Sequence, residues 1–89
     1  MYQVKYTLKA LKSLKKIDKK TQAVLLAWIE KNLVNCENPY LHGKGLTGNR
    51  SQEWSYRLGD YRIIADIQED EILILVLDVG HRKHIYGGH

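Results

Sequence analysis

Two arginines, Arg57 and Arg62, are set symmetrically about the Gly-Asp pair in Tyr56-Arg57-Leu58-Gly59-Asp60-Tyr61-Arg62-Ile63-Ile64, and a third, Arg82, follows His81 late in the chain. Glycine in the first position of a two-residue loop suits a type II′ hairpin turn. Counting outward from that turn pairs Leu58 with Tyr61, Arg57 with Arg62, Tyr56 with Ile63, Ser55 with Ile64 and Trp54 with Ala65. Side chains alternate along a strand, so Trp54, Tyr56, Leu58, Tyr61, Ile63 and Ala65 share one face, and Ser55, Arg57, Arg62 and Ile64 share the other. Opposed arginines, with Cβ atoms about 5 Å apart, destabilise a hairpin. A fold has no need of such a pair, whereas an anion site does. The competing reading is that each guanidinium turns to a nearby carboxylate, such as Asp60 or Asp66.

Around these arginines stand two groups able to move protons. Tyr86 has an ordinary pKa of about 10, and neighbouring cations that favour its phenolate make it a better base. His81 titrates near neutrality and is the alternative acid or base. Cations gathered round a phosphate stabilise the charge of a phosphoryl-transfer transition state without a metal. RNA supplies its own nucleophile in the 2′-hydroxyl, so the residues point to a nucleic-acid site with ribonuclease chemistry. Other constellations are missing. His81 and His84 are three apart without the partners a zinc site needs, and Gly43-Lys44-Gly45 is too short for a phosphate loop. We therefore expect no metal and no cofactor. Cys36 reads as a small buried hydrophobe rather than a nucleophile.

The elements that must position this set follow from periodicity. Residues 2–6 alternate around Val4 as a short strand, and Thr7 is a plausible cap for the helix that follows. On that helix Leu8, Ala10, Leu11, Leu14 and Ile17 gather on one half of the circumference, and Lys9, Lys12, Lys15, Lys16, Lys19 and Lys20 on the other. Helices usually intersperse glutamates on such a face; this one has none, which leaves two readings, a solvated surface or contact with a polyanion through Lys9, Lys12 and Lys16. Asp18 breaks the helix and caps a second, predicted over residues 19–36. Its run Ala23-Val24-Leu25-Leu26-Ala27-Trp28-Ile29 is apolar on nearly every side and predicts deep burial. Residues 37–52 read as a connecting loop, with Lys44 and Arg50 as flexible cations, either surface groups or contacts to RNA phosphate. After the hairpin and an acidic turn, Ile72-Leu73-Ile74-Leu75-Val76-Leu77 reads as a central strand. Pairing Ile67 with Ile72 places Leu73, Leu75 and Leu77 on the arginine face, as an apolar strip suited to a partner peptide. The expected fold is α+β, of order β-α-α-β-β-β, with two helices on one face of a mainly antiparallel four-stranded sheet.

Eighty-nine residues make one domain, 1–89, with 44% hydrophobic and 27% charged residues, as expected of a globular protein. The net charge of +4 is unevenly spread. Residues 1–35 hold eight lysines against two acids, whereas residues 36–89 hold two lysines and all four arginines against eight acids. Lysine suits diffuse attraction to a polyanion, and arginine a fixed, planar grip on phosphate. One cysteine excludes an internal disulfide. No apolar run approaches a membrane span, and Met1-Tyr2-Gln3-Val4-Lys5 lacks the core of a signal peptide, so the expected location is the cytoplasm, away from the membrane.

The sequence resembles the RelE/ParE superfamily of toxins from toxin–antitoxin pairs along essentially its whole length. The resemblance rests on the amphipathic 8–20 helix, the loop His42-Gly43-Lys44-Gly45-Leu46-Thr47-Gly48, the hairpin Tyr56 to Ile64, and Val79-Gly80-His81-Arg82 with Tyr86. It is most similar to the RelE branch, whose members enter the ribosomal A site and cut mRNA there without metal. The resemblance implies that Arg62 stabilises the phosphate in the transition state, that Arg82 acts as cationic stabiliser or proton donor, and that Tyr86 activates the 2′-hydroxyl. Arg57 stands where RelE has a lysine, and Ser55 takes the place of a second. His81 resembles a histidine used by other ribosome-dependent branches, which leaves the proton roles of His81, Arg82 and Tyr86 open. The implied partners are a cognate antitoxin, the ribosome with its mRNA, and operator DNA through the antitoxin complex. The alternative is a ParE-like inhibitor of DNA gyrase with no chemistry of its own.

Overall fold

In the computed structural model of the protein, residues 1–46 and 53–85 are described. Strand β1 (Gln3–Tyr6) leads into helix α1 (Leu8–Lys15), and α2 (Lys19–Asn32) follows after a tight break. Both helix starts lie where side-chain capping predicts. The Thr7 hydroxyl accepts from the Ala10 amide at 3.0 Å and donates to the Leu77 carbonyl at 3.0 Å, so one side chain both caps α1 and fastens it to the sheet. Asp18 accepts from the Thr21 amide at 3.0 Å, and the hydrogen bonds from Thr21 hold its carboxyl below the ordinary carboxylate range.

Helix α2 is shorter than expected, ending at Asn32 rather than running to Cys36. The chain turns at Asn35, which takes φ +61°, a left-handed conformation that asparagine tolerates. Asn35 then donates its amide to the Tyr2 carbonyl while the Cys36 carbonyl accepts from Tyr2, and these two bonds replace helical continuation. Burial is also narrower than the apolar run suggests. Leu25, Ile29 and Leu33, four residues apart, enter the core, while Val24 is 58% exposed and Leu26 39%. On α1 only Ala10 and Leu14 are buried, and Leu8, expected inside, is 74% exposed. A helix laid on a sheet buries a stripe, and both apolar faces here are wider than the stripe.

The sheet has five strands in the order β1-β5-β4-β3-β2. The added one is an edge strand, β2 (Lys44–Gly45), inside the segment expected to be loop. It is held by contacts distant in sequence. The Trp54 indole donates to the His42 carbonyl at 2.6 Å, and the buried Tyr56 hydroxyl donates to the Pro39 carbonyl of a single 3-10 turn at 2.7 Å. Gly43 takes φ +79° so close to β3 (Glu53–Leu58) that a Cβ there would collide with the Ser55 carbonyl oxygen. Strand β1 runs parallel to β5 (Leu73–His81), and the remaining pairs are antiparallel.

Strands β3 and β4 (Tyr61–Gln68) pair in the expected register from Leu58↔Tyr61 to Trp54↔Ala65. Gly59 has φ +57° and Asp60 is not among the positive-φ residues, the combination a type II′ turn requires. Tyr56, Ile63 and Ala65 face the helices and join Ala10, Leu14, Leu25, Ile29, Leu33, Ile74, Val76 and Val79 in one core. The β4–β5 register differs from expectation: Ile67 pairs with Ile74, not Ile72, and Ile72 lies in the turn at φ +50°. A bulge then intervenes, because Ala65 pairs with Val76 but Ile64 with Asp78, leaving Leu77 without a β4 partner. The extra residue inverts the alternation beyond it. Gly80 therefore comes opposite Arg62, and His81 opposite Tyr61. No described helix is long and apolar enough to cross a membrane.

Candidate functional site

The Gly59–Asp60 turn gathers the three arginines. Arg57 Nε donates to the Gly59 carbonyl at 3.4 Å, and Arg62 Nη1 donates to the same oxygen at 3.3 Å and to the Tyr61 carbonyl at 3.2 Å. Arg82 donates its backbone amide to the Asp60 carbonyl at 2.7 Å, and its guanidinium Nε lies 3.8 Å from the Asp60 carboxylate as an ion pair. The alternative in which the opposed pair turns to carboxylates is not what forms: among the described residues neither Arg57 nor Arg62 makes an ion pair.

These contacts position the arginines without consuming them. At 3.3 and 3.4 Å the Gly59 bonds are longer than a well-formed N–H···O bond, and a charge-assisted bond to phosphate is about 2.7–2.9 Å. The Arg82–Asp60 pair is solvent-exposed on both sides, with side chains 52% and 67% accessible, so it contributes about 0–1 kcal/mol. The three guanidiniums are thus gathered at one turn and held only weakly. Strand alternation adds Lys44, since β2 pairs Lys44 with Ser55, two residues from Arg57 on the same face. Arg50 and Tyr86, both drawn from the sequence as site residues, lie outside the described residues.

His81 does not join this face. Its pairing with Tyr61 puts it on the helix side, ring centroids 5.5 Å apart, while Arg62 faces the other way. The bulge at Leu77 causes this, and no local sequence signal announces it. Tyr61, His81 and His84 instead border a cleft of about 580 Å³ between the end of α1 and the end of β5.

The lysine face of α1 divides into three settings. Lys9 lies 3.6 Å from the Asp78 carboxylate, which also accepts from the Ser13 hydroxyl at 2.6 Å. The counter-charge absent from the helix thus comes from β5. Lys12 and Lys15 rim an apolar hollow of about 370 Å³ floored by Leu8, Leu11, Leu14 and Leu26. Lys16 lines the cleft with His81. Leu73 and Leu75 lie on the sheet face away from the helices, half-buried, as does Leu77 at the bulge. Burial pushes the Cys36 thiol up, which is unfavourable to a nucleophile.

The model of the ParE toxin of the type II toxin–antitoxin system parDE matches residues 4–86. Comparison with the curated proteins finds no match. Among solved structures, the chain is similar to one in the toxin–antitoxin complex RelBE2 from Mycobacterium tuberculosis, with 27% identity and TM-score 0.83 over 91% of each chain. It is similar to a chain of the RelB–RelE antitoxin–toxin complex from Methanococcus jannaschii at 26% identity and TM-score 0.70, covering 93% of this chain and 95% of that one. The isolated RelE toxin of E. coli shares the fold at 21% identity and TM-score 0.73, over 98% and 93%. A family match across nearly the whole chain, together with this α+β fold, makes the protein a member of the ParE toxin family, a type II toxin–antitoxin toxin within the RelE/ParE superfamily.

Proposed function

We propose that this toxin is a ribosome-dependent mRNA endoribonuclease. The observation that carries the reading is the convergence of Arg57, Arg62 and Arg82 on the Gly59–Asp60 turn, held by long or exposed contacts that a phosphate displaces. In the reaction, the 2′-oxygen attacks the adjacent phosphorus as its proton passes to the Tyr86 phenolate, and the bond to the 5′-oxygen breaks. The departing oxygen takes a proton from an acid, for which Arg82 is the candidate, leaving a 2′,3′-cyclic phosphate and a 5′-hydroxyl. Arg62 stabilises the charge that grows on the non-bridging oxygens, and Arg57, with Lys44 and Arg50, supports the strand. His81, facing the far side of the sheet, is the weaker candidate for proton transfer. Lys9, Lys12 and Lys16 add diffuse attraction to ribosomal RNA, which makes affinity fall steeply with salt.

The partner that restrains the toxin is a cognate antitoxin, as related chains were solved in complex with theirs, and the half-buried Leu73, Leu75 and Leu77 on the sheet face away from the helices are the docking strip we assign to it. Through that antitoxin the complex would also reach operator DNA. A second reading, favoured by the ParE family match, is inhibition of DNA gyrase by binding alone. Primer extension on mRNA from expressing cells separates the two. Cuts positioned by reading frame are expected; an uncut message with arrested replication would establish the gyrase reading.

A further inference from the structure

The three arginines at the Gly59–Asp60 turn are not held alike. Arg57 and Arg62 lean on a neutral group, the Gly59 carbonyl, whereas Arg82 faces a full negative charge, the Asp60 carboxylate 3.8 Å from its Nε. That charge is not needed to place Arg82. The Arg82 amide already donates to the Asp60 carbonyl at 2.7 Å, which ties the start of the short helix α3 (Arg82–Ile85) to the turn through the backbone. An ion pair this exposed adds little stability. Asparagine would fill the same turn position, since its side chain suits turns as aspartate's does. What the carboxylate changes is the field, by setting one negative charge among three guanidiniums.

The effect of that charge scales with the charge of the ligand. A phosphate bonded to Arg82 at the usual charge-assisted distance lies about 6 Å from the Asp60 carboxylate. Unit charges about 6 Å apart in bulk water repel by enough to change a dissociation constant about threefold. A phosphodiester carries one charge and meets that factor once. A terminal phosphomonoester, with a second pKa of about 6, carries close to two charges above neutral pH and meets the factor twice, about tenfold in all.

We propose that Asp60 is a charge filter, a specificity-determining residue that turns this site from terminal phosphates toward internal phosphodiesters. This rests on the phosphate reading of the turn given above. The carboxylate weakens the binding of every anion and of a dianion most. Inorganic phosphate, free nucleotides and phosphorylated RNA ends therefore compete less well with the interior of a chain, where each phosphate carries a single charge.

The test is an NMR titration of the full-length protein and its Asp60→Asn and Asp60→Glu variants with dimethyl phosphate and methyl phosphate, at pH 8 and constant ionic strength, following the amides of Gly59 and Arg62. Asp60→Asn is expected to lower the Kd for methyl phosphate about tenfold and that for dimethyl phosphate about threefold, so that the ratio of the two moves about threefold toward the dianion. Asp60→Glu, which keeps the charge, is expected to hold the wild-type ratio. An equal change for both esters in Asp60→Asn overturns the filter and makes Asp60 a group that only aims Arg82, with the phosphate site left standing. No change for either ester overturns it as well, as does a ratio moved as far by glutamate as by asparagine, since charge is then not the cause. A turn silent to both esters in all three proteins removes the phosphate site and, with it, both the filter and the ribonuclease reading.

Discussion

The β3–β4 and β4–β5 hairpins meet the same demand, a left-handed residue at a turn, with opposite chemistry. Between β3 and β4 the residue is Gly59 at φ +57°, which has no Cβ to strain. Between β4 and β5 it is Ile72 at φ +50°, a β-branched side chain where such a conformation costs about 1–3 kcal/mol. The relaxed turn carries the three arginines. The strained turn lies at the other end of the strands and holds Ile72 by backbone bonds, its amide donating to Glu69 at 3.2 Å and its carbonyl accepting from Gln3 at 3.0 Å. The difference teaches where precision is needed. The site turn fixes a register that keeps Arg57 opposite Arg62, whereas the distal turn need only return the chain.

The largest expected effect comes from the arginines themselves. Arg62→Ala should lower single-turnover cleavage by about 100- to 1,000-fold, the usual loss on removing a donor to a charged transition state, with the Tm changed by no more than a few degrees. Arg57→Ala, which removes a supporting cation, should cost about tenfold. Equal losses in the two variants would erase the distinction between catalyst and support.

Substitution of the site turn comes next. Gly59→Ala meets no steric obstacle, since nothing lies within 4 Å of the added Cβ, so its cost is backbone strain of about 1–3 kcal/mol. The expected results are a fall in the urea midpoint and a loss of cleavage larger than the stability change explains, because the carbonyl that aims Arg57 and Arg62 moves. Retained cleavage in a folded Gly59→Ala protein would show that the turn positions nothing.

The smallest effect is at the distal turn. Ile72→Gly relieves the strain, offset by about 0.5–1 kcal/mol of added backbone entropy and little lost burial, since Ile72 is 49% exposed. A gain of up to about 1 kcal/mol with unchanged cleavage is expected in urea melts. Activity that fell with this substitution would mean the two hairpins are coupled.

The same comparison explains how much could be read from the residues. The β3–β4 register was legible to the last pair because a two-residue turn with Gly59 leaves one way to count. Thr7 and Asp18 were legible as caps because their chemistry is local. The β4–β5 register was not, since an isoleucine gives no sign that it will turn left-handed, and the Leu77 bulge changed which residues meet Arg62. Strand β2 escaped notice because it is held by Trp54, Tyr56 and Gly43 contacts across the fold. In the candidate site, Arg57, Arg62 and Arg82 could be named from the sequence, and Asp60 as a carboxylate beside them, but not that the Gly59 carbonyl would gather Arg57 and Arg62 while Asp60 served Arg82. The counter-charge to Lys9 was hidden for the same reason, lying on Asp78 in a distant strand.

The central claim is that the arginines at this turn cut RNA on the ribosome rather than merely hold a partner. It is tested most directly by adding the purified toxin to ribosomes stalled on a defined message and analysing the cut ends. The account predicts a 2′,3′-cyclic phosphate and a 5′-hydroxyl at one position of the exposed codon, formed by the wild type and lost with Arg62→Ala. An intact message at saturating toxin, together with inhibition of DNA supercoiling by gyrase in a parallel assay, would contradict it.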